Sequence, residues 1–438
     1  MKKFFDKLVD FGVKLSQQIH LRSLRDASAI TMPLVILAGF MILINALILD
    51  PNGFMSSFVK ADTLLLLQGI GTRVQNATLG IWTLAQTVAI AYCLAKNREF
   101  DEPLIPCIVA LACLVTLVPL SLSITPTGAE KSVMVSGILS QDFVGIKGVF
   151  TGMLVSCMTT ELFIKVSRFK KLEIKMPEGV PPMVAKSFSS MIPFLIVVII
   201  FALFGFLLDL TIGMSFTELI IVAIQTPIKN LTTSLPGFLI AMVLFNLLFA
   251  TGIHPSAIVD TVIGPGLTLA MNENMQAFAA GQEAQNIITT SFKQVYGLIG
   301  GTGCTICLII AVLIFSKRKN HRMIAKLGLA PGIFNINEPI IFGFPIVMNP
   351  ILIIPFVLVT QVSFMIAYLA TSIGLVGKCV VEIPWVTPPI LSAYLTTAGD
   401  IKAAILQIIL IVIGVLIYLP FLRVSERSLN KSENTTTE

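Results

Sequence analysis

The sequence predicts an all-α polytopic membrane protein of about ten transmembrane helices with re-entrant hairpins. Three observations carry this. Apolar residues make up 55% of the 438 and charged residues only 12%, against about 45–50% and 25% in a soluble domain. Mean hydropathy is +0.90. Apolar runs recur near the roughly 20 residues that a bilayer-crossing helix needs, and the chain has room for about ten of them. This composition excludes a soluble cytosolic enzyme, a nucleic-acid binder and a secreted disulfide scaffold. The net charge of +6 comes from a few basic clusters, so it is a topology signal and no nucleic-acid partner is expected.

The elements follow in order. Phe4, Leu8, Phe11, Leu15 and Ile19 recur at helical spacing among lysines, which fits either an amphipathic surface helix or a frayed basic tail. The run at 27–49 is too long for the core of a leader and has no A-x-A-like site after it, so it is expected to be the first span. Lys2, Lys3, Lys7, Lys14, Arg22 and Arg25 precede it and place that end in the cytoplasm. Further spans are expected near 77–95, 104–123, 145–164 and 188–208. The connection 125–141 is poor in Lys and Arg and reads as external. The connection 165–186, with Lys165, Arg168, Lys170, Lys171, Lys175 and Lys186, reads as cytoplasmic. These assignments make 1–210 an N-terminal membrane half with the surface helix and five spans. Residues 211–423 form a C-terminal half, and 424–438, ending SENTTTE, a disordered cytoplasmic tail.

The C-terminal half is less regular. Between 211 and 293, Pro227, Pro236, Pro255 and Pro265 break the apolar runs. Such discontinuous segments expose backbone groups to a polar cavity in transporters, with the solute beside them. Lys317, Arg318, Lys319, Arg322 and Lys326 mark a cytoplasmic loop, and Arg423, Arg427 and Lys431 a cytoplasmic C-terminus. With single spans at 350–373 and 403–422, parity requires 330–349 to leave and return on one side. Its sequence, APGIFNINEPIIFGFPIVMN, has the Pro and Gly of a broken hairpin.

Polar residues within these segments are the candidate site. A charge at the bilayer centre costs about 2.5–3.5 kcal/mol on insertion scales, so Glu338 needs a partner or a role. Pro339 lets a helix start there, with a field that holds the carboxylate ionised. Glu338 is either a structural cap or a hydrogen-bond acceptor for a polar solute, and Asn335 and Asn337 share its hairpin. His254, in LLFATGIHPSAIVD, is either a satisfied packing residue or, if it meets Glu338, an acid/base or hydroxyl-orienting group. Trp385, in EIPWVTPPILSAYL, is either an interfacial belt residue or a flat platform on which a pyranose ring stacks. The seven cysteines lie mostly in apolar runs and read as small buried hydrophobes. Cys304 and Cys307 form a CxxC with no second ligand pair, which favours helix packing over a metal site. No metal and no cofactor are expected.

Four segments carry a close resemblance: KMPEGVPPMVAKSF at 175–188, IGGTG at 299–303, FNINEPIIFGFPIVMNP at 334–350 and PWVTPPILSAYLTTAGDIKAAILQ at 384–407. The chain resembles, over essentially its whole length, the membrane component IIC of the bacterial sugar phosphotransferase system, in its lactose/cellobiose/diacetylchitobiose group. The resemblance implies about ten spans, a homodimer formed through the N-terminal half, and a C-terminal half that carries the sugar as an elevator. It implies that His254 and Glu338 approach the sugar C6 hydroxyl as orienting groups and possible proton acceptors. Asn337 and Trp385 then complete the substrate-binding set. It also implies a multi-pass protein of the bacterial plasma membrane, both termini cytoplasmic, whose substrate is a β-linked disaccharide. The partners implied are a separate cytoplasmic IIB, which donates its phosphoryl group from a phosphocysteine, and indirectly IIA. No phosphorylated residue belongs to this chain itself. Pro255 stands where the family often has Gly, and Phe245 and Phe249 stand where an aromatic, often Trp, precedes the His. Both bear on pocket shape and so on which sugar is carried. The alternative is an ion-coupled secondary sugar transporter using Glu338 and His254 as a proton relay. No GxSxG, HExxH or P-loop pattern supports a membrane enzyme.

Overall fold

Long apolar runs without charge become helices because only intra-segment hydrogen bonds satisfy the backbone in lipid. The computed structural model describes residues 18–51, 54–124, 131–174, 176–177, 179–250, 255, 259–344, 346–347 and 349–435. Among these, seven helices are long and apolar enough to cross a bilayer: Ile19–Ile48, Ala61–Asn97, Val149–Ser167, Met191–Ile212, Thr290–Phe315, Pro350–Ser372 and Ile401–Leu429. A pair broken at Ser234, Phe216–Thr233 and Leu235–Ala250, makes an eighth. Leu104–Leu117 is apolar but shorter. With the re-entrant pieces this is close to the expected ten.

The chain forms two compact units. One comprises Gln17–Val35 and Val74–Ile228; the other holds Ile36–Arg73 and Lys229–Glu438. By packing, residues 211–228 group with the first unit, and the end of the first span with the helix after it groups with the second. Sequence order hides this, because membership depends on which faces pack and not on chain position.

In the first unit, Trp82–Asn97, Leu104–Leu117 and Val149–Ser167 pack through small and hydroxyl residues. Ala91, Ala110, Val155 and Phe163 are fully buried. A Cβ on Gly152 would lie 2.5 Å from Thr87 Oγ1, so glycine permits the close helix approach that membrane bundles favour. Thr31 donates to Gln86 at 2.6 Å. At one end Glu161 accepts from Arg98 at 2.6 Å and pairs with His20 at 2.9 Å. The expected span at 104–123 stops at Leu117, ahead of Pro119, and gives way to an antiparallel hairpin, Ser121–Ile124 with Val133–Ser136.

The second unit is centred on edge-to-face aromatics: Phe238 and Phe364 lie 4.7 Å apart, and Phe292 and Tyr296 5.3 Å apart. Two expectations need correction here. The basic stretch 317–326 is a loop only at its start, since a helix runs from Lys319 to Ile333 into the re-entrant hairpin. The tail expected to be disordered from 424 is helical to Thr435: the helix that begins at Ile401 runs on past Pro420, and contacts of Glu426 hold the extension against the preceding segments. Glu426 on that extension accepts from Ser316 and pairs with His321 Nδ1 at 3.0 Å. The amphipathic segment expected at 4–19 lies outside the described residues up to residue 17.

Candidate functional site

Three irregular segments of the second unit converge, and each is irregular for a stated reason. The first is the glycine loop. Gly300, Gly301 and Gly303 have φ of 72°, 95° and 75°, values that L side chains rarely adopt. A Cβ on Gly301 would lie 2.5 Å from Asn337 Cγ, and one on Gly303 2.1 Å from the Phe356 ring. Glycine here is what lets the neighbouring segments touch the loop backbone. Tyr418 donates to Gly303 O at 2.7 Å and Thr305 to Gly300 O at 2.6 Å, which fixes the loop from below.

The second segment is the turn at 334–337. The Lys319–Ile333 helix ends there and a six-residue helix, Glu338–Gly343, begins with Pro339 in its first turn. Asn337 is buried and donates to Thr302 O at 2.8 Å. Asn335 accepts from Gly300 N–H at 2.8 Å and donates to Trp385 O at 2.7 Å and Thr387 O at 3.1 Å.

The third segment is 382–390. Glu382 enters it with a half-buried carboxylate that accepts from Thr290 Oγ1 at 2.9 Å and Ser291 Oγ at 3.0 Å. Ile390 leaves it at φ +73°, a strained conformation for a β-branched residue. Gln407 holds that strain. Its Oε1 accepts from Ile390 N–H, and its Nε2 donates to Val295 O at 2.6 Å.

Of the residues expected at the site, Glu338 and Trp385 sit on segments that Asn335 ties together. Glu338 is exposed, and its carboxylate has no hydrogen bond or ion pair with any described residue. Trp385 is 48% exposed although its carbonyl is bonded. Asn337 faces the glycine loop, with its amide nitrogen committed to Thr302. His254 lies outside the described residues. The arrangement is a rigid backbone cradle that leaves one carboxylate and one indole face available. That combination suits a solute with hydroxyls on one side and an apolar ring face on the other.

Sequence reasoning passed over three groups. Glu382 is a lone carboxylate in apolar sequence, and the argument that singled out Glu338 applies to it equally. Lys293 and Asp260 form a half-buried pair at 2.5 Å, with the ammonium 5.2 Å from the Phe245 ring centre. They are 33 residues apart in sequence, so no local spacing announces them. Asn335 was placed in the hairpin but given no task. Among the described residues, no three His, Cys, Asp or Glu side chains are grouped to hold a metal ion.

Residues 25–360 match the family described as Phosphotransferase system, EIIC. A cellobiose-specific EIIC component of Geobacillus stearothermophilus is 36% identical, over 96% of this chain and 93% of that one. A lichenan permease IIC component of Bacillus subtilis (strain 168) is 35% identical, over 98% and 94%. The crystal structure of ChbC, the IIC component of an N,N'-diacetylchitobiose-specific phosphotransferase system, superposes with TM-score 0.89 at 33% identity, over 97% of this chain and 98% of that chain.

Proposed function

This chain belongs to the EIIC family of the phosphotransferase system, and from that premise we propose that it binds a β-linked disaccharide of the cellobiose, diacetylchitobiose or lactose type. It carries the sugar across the bacterial plasma membrane and presents the C6 hydroxyl to a separate phospho-IIB. The observation that supports this most directly is the cradle of glycine loop, Asn335–Glu338 turn and Trp385 segment, which leaves the Glu338 carboxylate and the Trp385 ring accessible together.

The chemistry follows from those two groups. The indole face stacks on the apolar face of a pyranose. Glu338 accepts a hydrogen bond from the C6 hydroxyl and takes its proton as the oxygen attacks phosphorus, and the resemblance assigns His254 to the same hydroxyl as an orienting group. The phosphorus–sulfur bond of the IIB phosphocysteine breaks, a phosphorus–oxygen bond to C6 forms, and the cysteine leaves as thiolate. Product phosphorylation makes return unfavourable and traps the sugar inside. A cytoplasmic placement of both termini, a homodimer through the N-terminal unit and an elevator movement of the sugar-bearing unit complete this reading, with IIA recharging IIB.

The test uses membranes containing this chain with matched IIA and IIB, phosphoenolpyruvate, an uncoupler and radiolabelled β-disaccharides. Phosphorylated sugar should accumulate despite the uncoupler and fall about 100-fold or more in Glu338→Gln, the scale of a lost general base. Accumulation of unmodified sugar that collapses with the uncoupler would replace this reading with the ion-coupled carrier.

A further inference from the structure

We propose that Asn335 is the positioning residue of the sugar site: it suspends the Trp385 segment over the cradle and acts on the sugar only through Trp385. The proposal rests on the reading of this site as a sugar site and goes beyond it by assigning the residue that sets the height of the stacking platform.

The argument begins with the backbone. Asn335 has φ +63°, a left-handed conformation that only Gly, Asn and Asp visit routinely. It occupies that conformation because it terminates a helix. Its N–H bonds to Gly332 O at 3.1 Å and the N–H of Ile336 bonds to Pro331 O at 3.0 Å. That is the paired pattern by which a left-handed residue closes the end of a helix. Glycine is the usual choice at such a position, so a side chain there answers to a second requirement.

The amide supplies it. Oδ1 takes the N–H of Gly300, while Nδ2, with two hydrogens, faces the carbonyls of Trp385 and Thr387. One donor face and one acceptor face meet partners of fixed polarity, so a single orientation of the amide satisfies all three bonds. Gly has the backbone but no amide. Asp has the backbone and the acceptor but would set an oxygen against two carbonyl oxygens. Asn alone meets all the conditions. Every partner is main chain, so Asn335 fixes the path of the loop whatever side chains line it. The only further polar side-chain bond to the Trp385 carbonyl among the described residues is a longer one, from Gln294 at 3.3 Å. Asn335 is thus the main polar tether of the Trp385–Thr387 turn, between the anchors of the segment at Glu382 and Ile390.

Two substitutions separate the tether from the helix terminator. Asn335→Gly keeps the helix end and removes the bonds to Trp385 and Thr387 together with the acceptor of Gly300 N–H; Asn335→Asp keeps the helix end and that acceptor, and replaces attraction to the two carbonyls by repulsion. The chain has two tryptophans, and Trp82 is buried elsewhere, so a Trp82→Phe background reports Trp385 alone. In that background, with no sugar present, both variants should show red-shifted emission and increased quenching by acrylamide, with Asp at least as large as Gly. With cellobiose as probe and matched IIA and IIB, KM should rise about ten- to a hundredfold, while kcat stays within about threefold and thermal unfolding of Asn335→Gly falls by only the few degrees that the lost acceptor of Gly300 N–H accounts for. Unchanged emission in both variants overturns the proposal. So does a fall in kcat at unchanged KM, which would place Asn335 in the chemistry at Glu338. Absence of any cellobiose response in the wild type would count against the sugar reading alone, because the emission measurement needs no sugar.

Discussion

Gly301→Ala perturbs the cradle where the glycine loop meets the Asn337 turn. The added methyl would sit 2.5 Å from Asn337 Cγ and 2.7 Å from its Nδ2, at a φ of +95°. Holding a non-glycine residue there costs about 1–3 kcal/mol. Relieving the overlap by moving Asn337 sacrifices its bond to Thr302, about 0.5–1.5 kcal/mol more. The combined perturbation is about 1.5–4.5 kcal/mol, and it has two outlets. If Asn337 stays, the strain appears as lost stability. If Asn337 and the Glu338 turn move, it appears as about a tenfold to thousandfold loss of sugar affinity. Thermal unfolding in detergent and a cellobiose titration read the two outlets. Gly374→Ala is the control: φ is +73° there with nothing within 4 Å of the added methyl, so it should lower stability without touching affinity. Gly301→Ala matching wild type in both measurements would refute the claim that the loop glycines exist for close approach to the Asn337 turn.

Two further outcomes follow from described contacts. Glu382→Ala removes the acceptor from two hydroxyls, Thr290 and Ser291. Unpaired buried groups cost about 1–3 kcal/mol each, so thermal unfolding should fall by several degrees. Glu382→Gln, which keeps an acceptor oxygen, should recover most of this; equal losses in both would show that the hydroxyl bonds are not the cause. Lys186, through its hydrogen bond to Glu102 and the charge of that carboxylate, is raised above the ordinary lysine value. A raised lysine contributes fully below its unfolded value of about 10.4 and loses that contribution as pH climbs through the folded one. Stability curves of wild type and Lys186→Met should therefore run parallel from about pH 6 to 9 and converge only above about pH 10. Convergence at neutral pH would refute the assignment.

What was legible in the sequence divides along physical lines. Spans such as those around Val149–Ser167 and Pro350–Ser372 could be read because lipid imposes length and hydropathy on any helix that crosses it. The hairpin at the NINEP turn could be inferred from parity plus its Pro and Gly. The end of Leu104–Leu117 and the helical course of 424–435 could not, since one depends on a following proline-led hairpin and the other on docking of Glu426 against Ser316 and His321. In the site, Glu338 and Trp385 stood out as polar or aromatic residues in broken apolar sequence. The Asn335 tether and the Lys293–Asp260 pair did not, because each is made by residues tens of positions apart that only the fold brings together.

The final helix touches the cradle and the opposite end of its own unit with one rod. Gln407 holds Ile390, Tyr418 holds Gly303 and Glu426 holds Ser316 and His321. Gln407 and Glu426 are 19 residues apart on this helix, which has Pro420 between them; a straight helix of that length rises about 28 Å. Substitutions at Gln407, Tyr418 and Glu426 thus bear on one element, although two of their partners, Gly303 and Ser316, lie more than a hundred residues away in sequence.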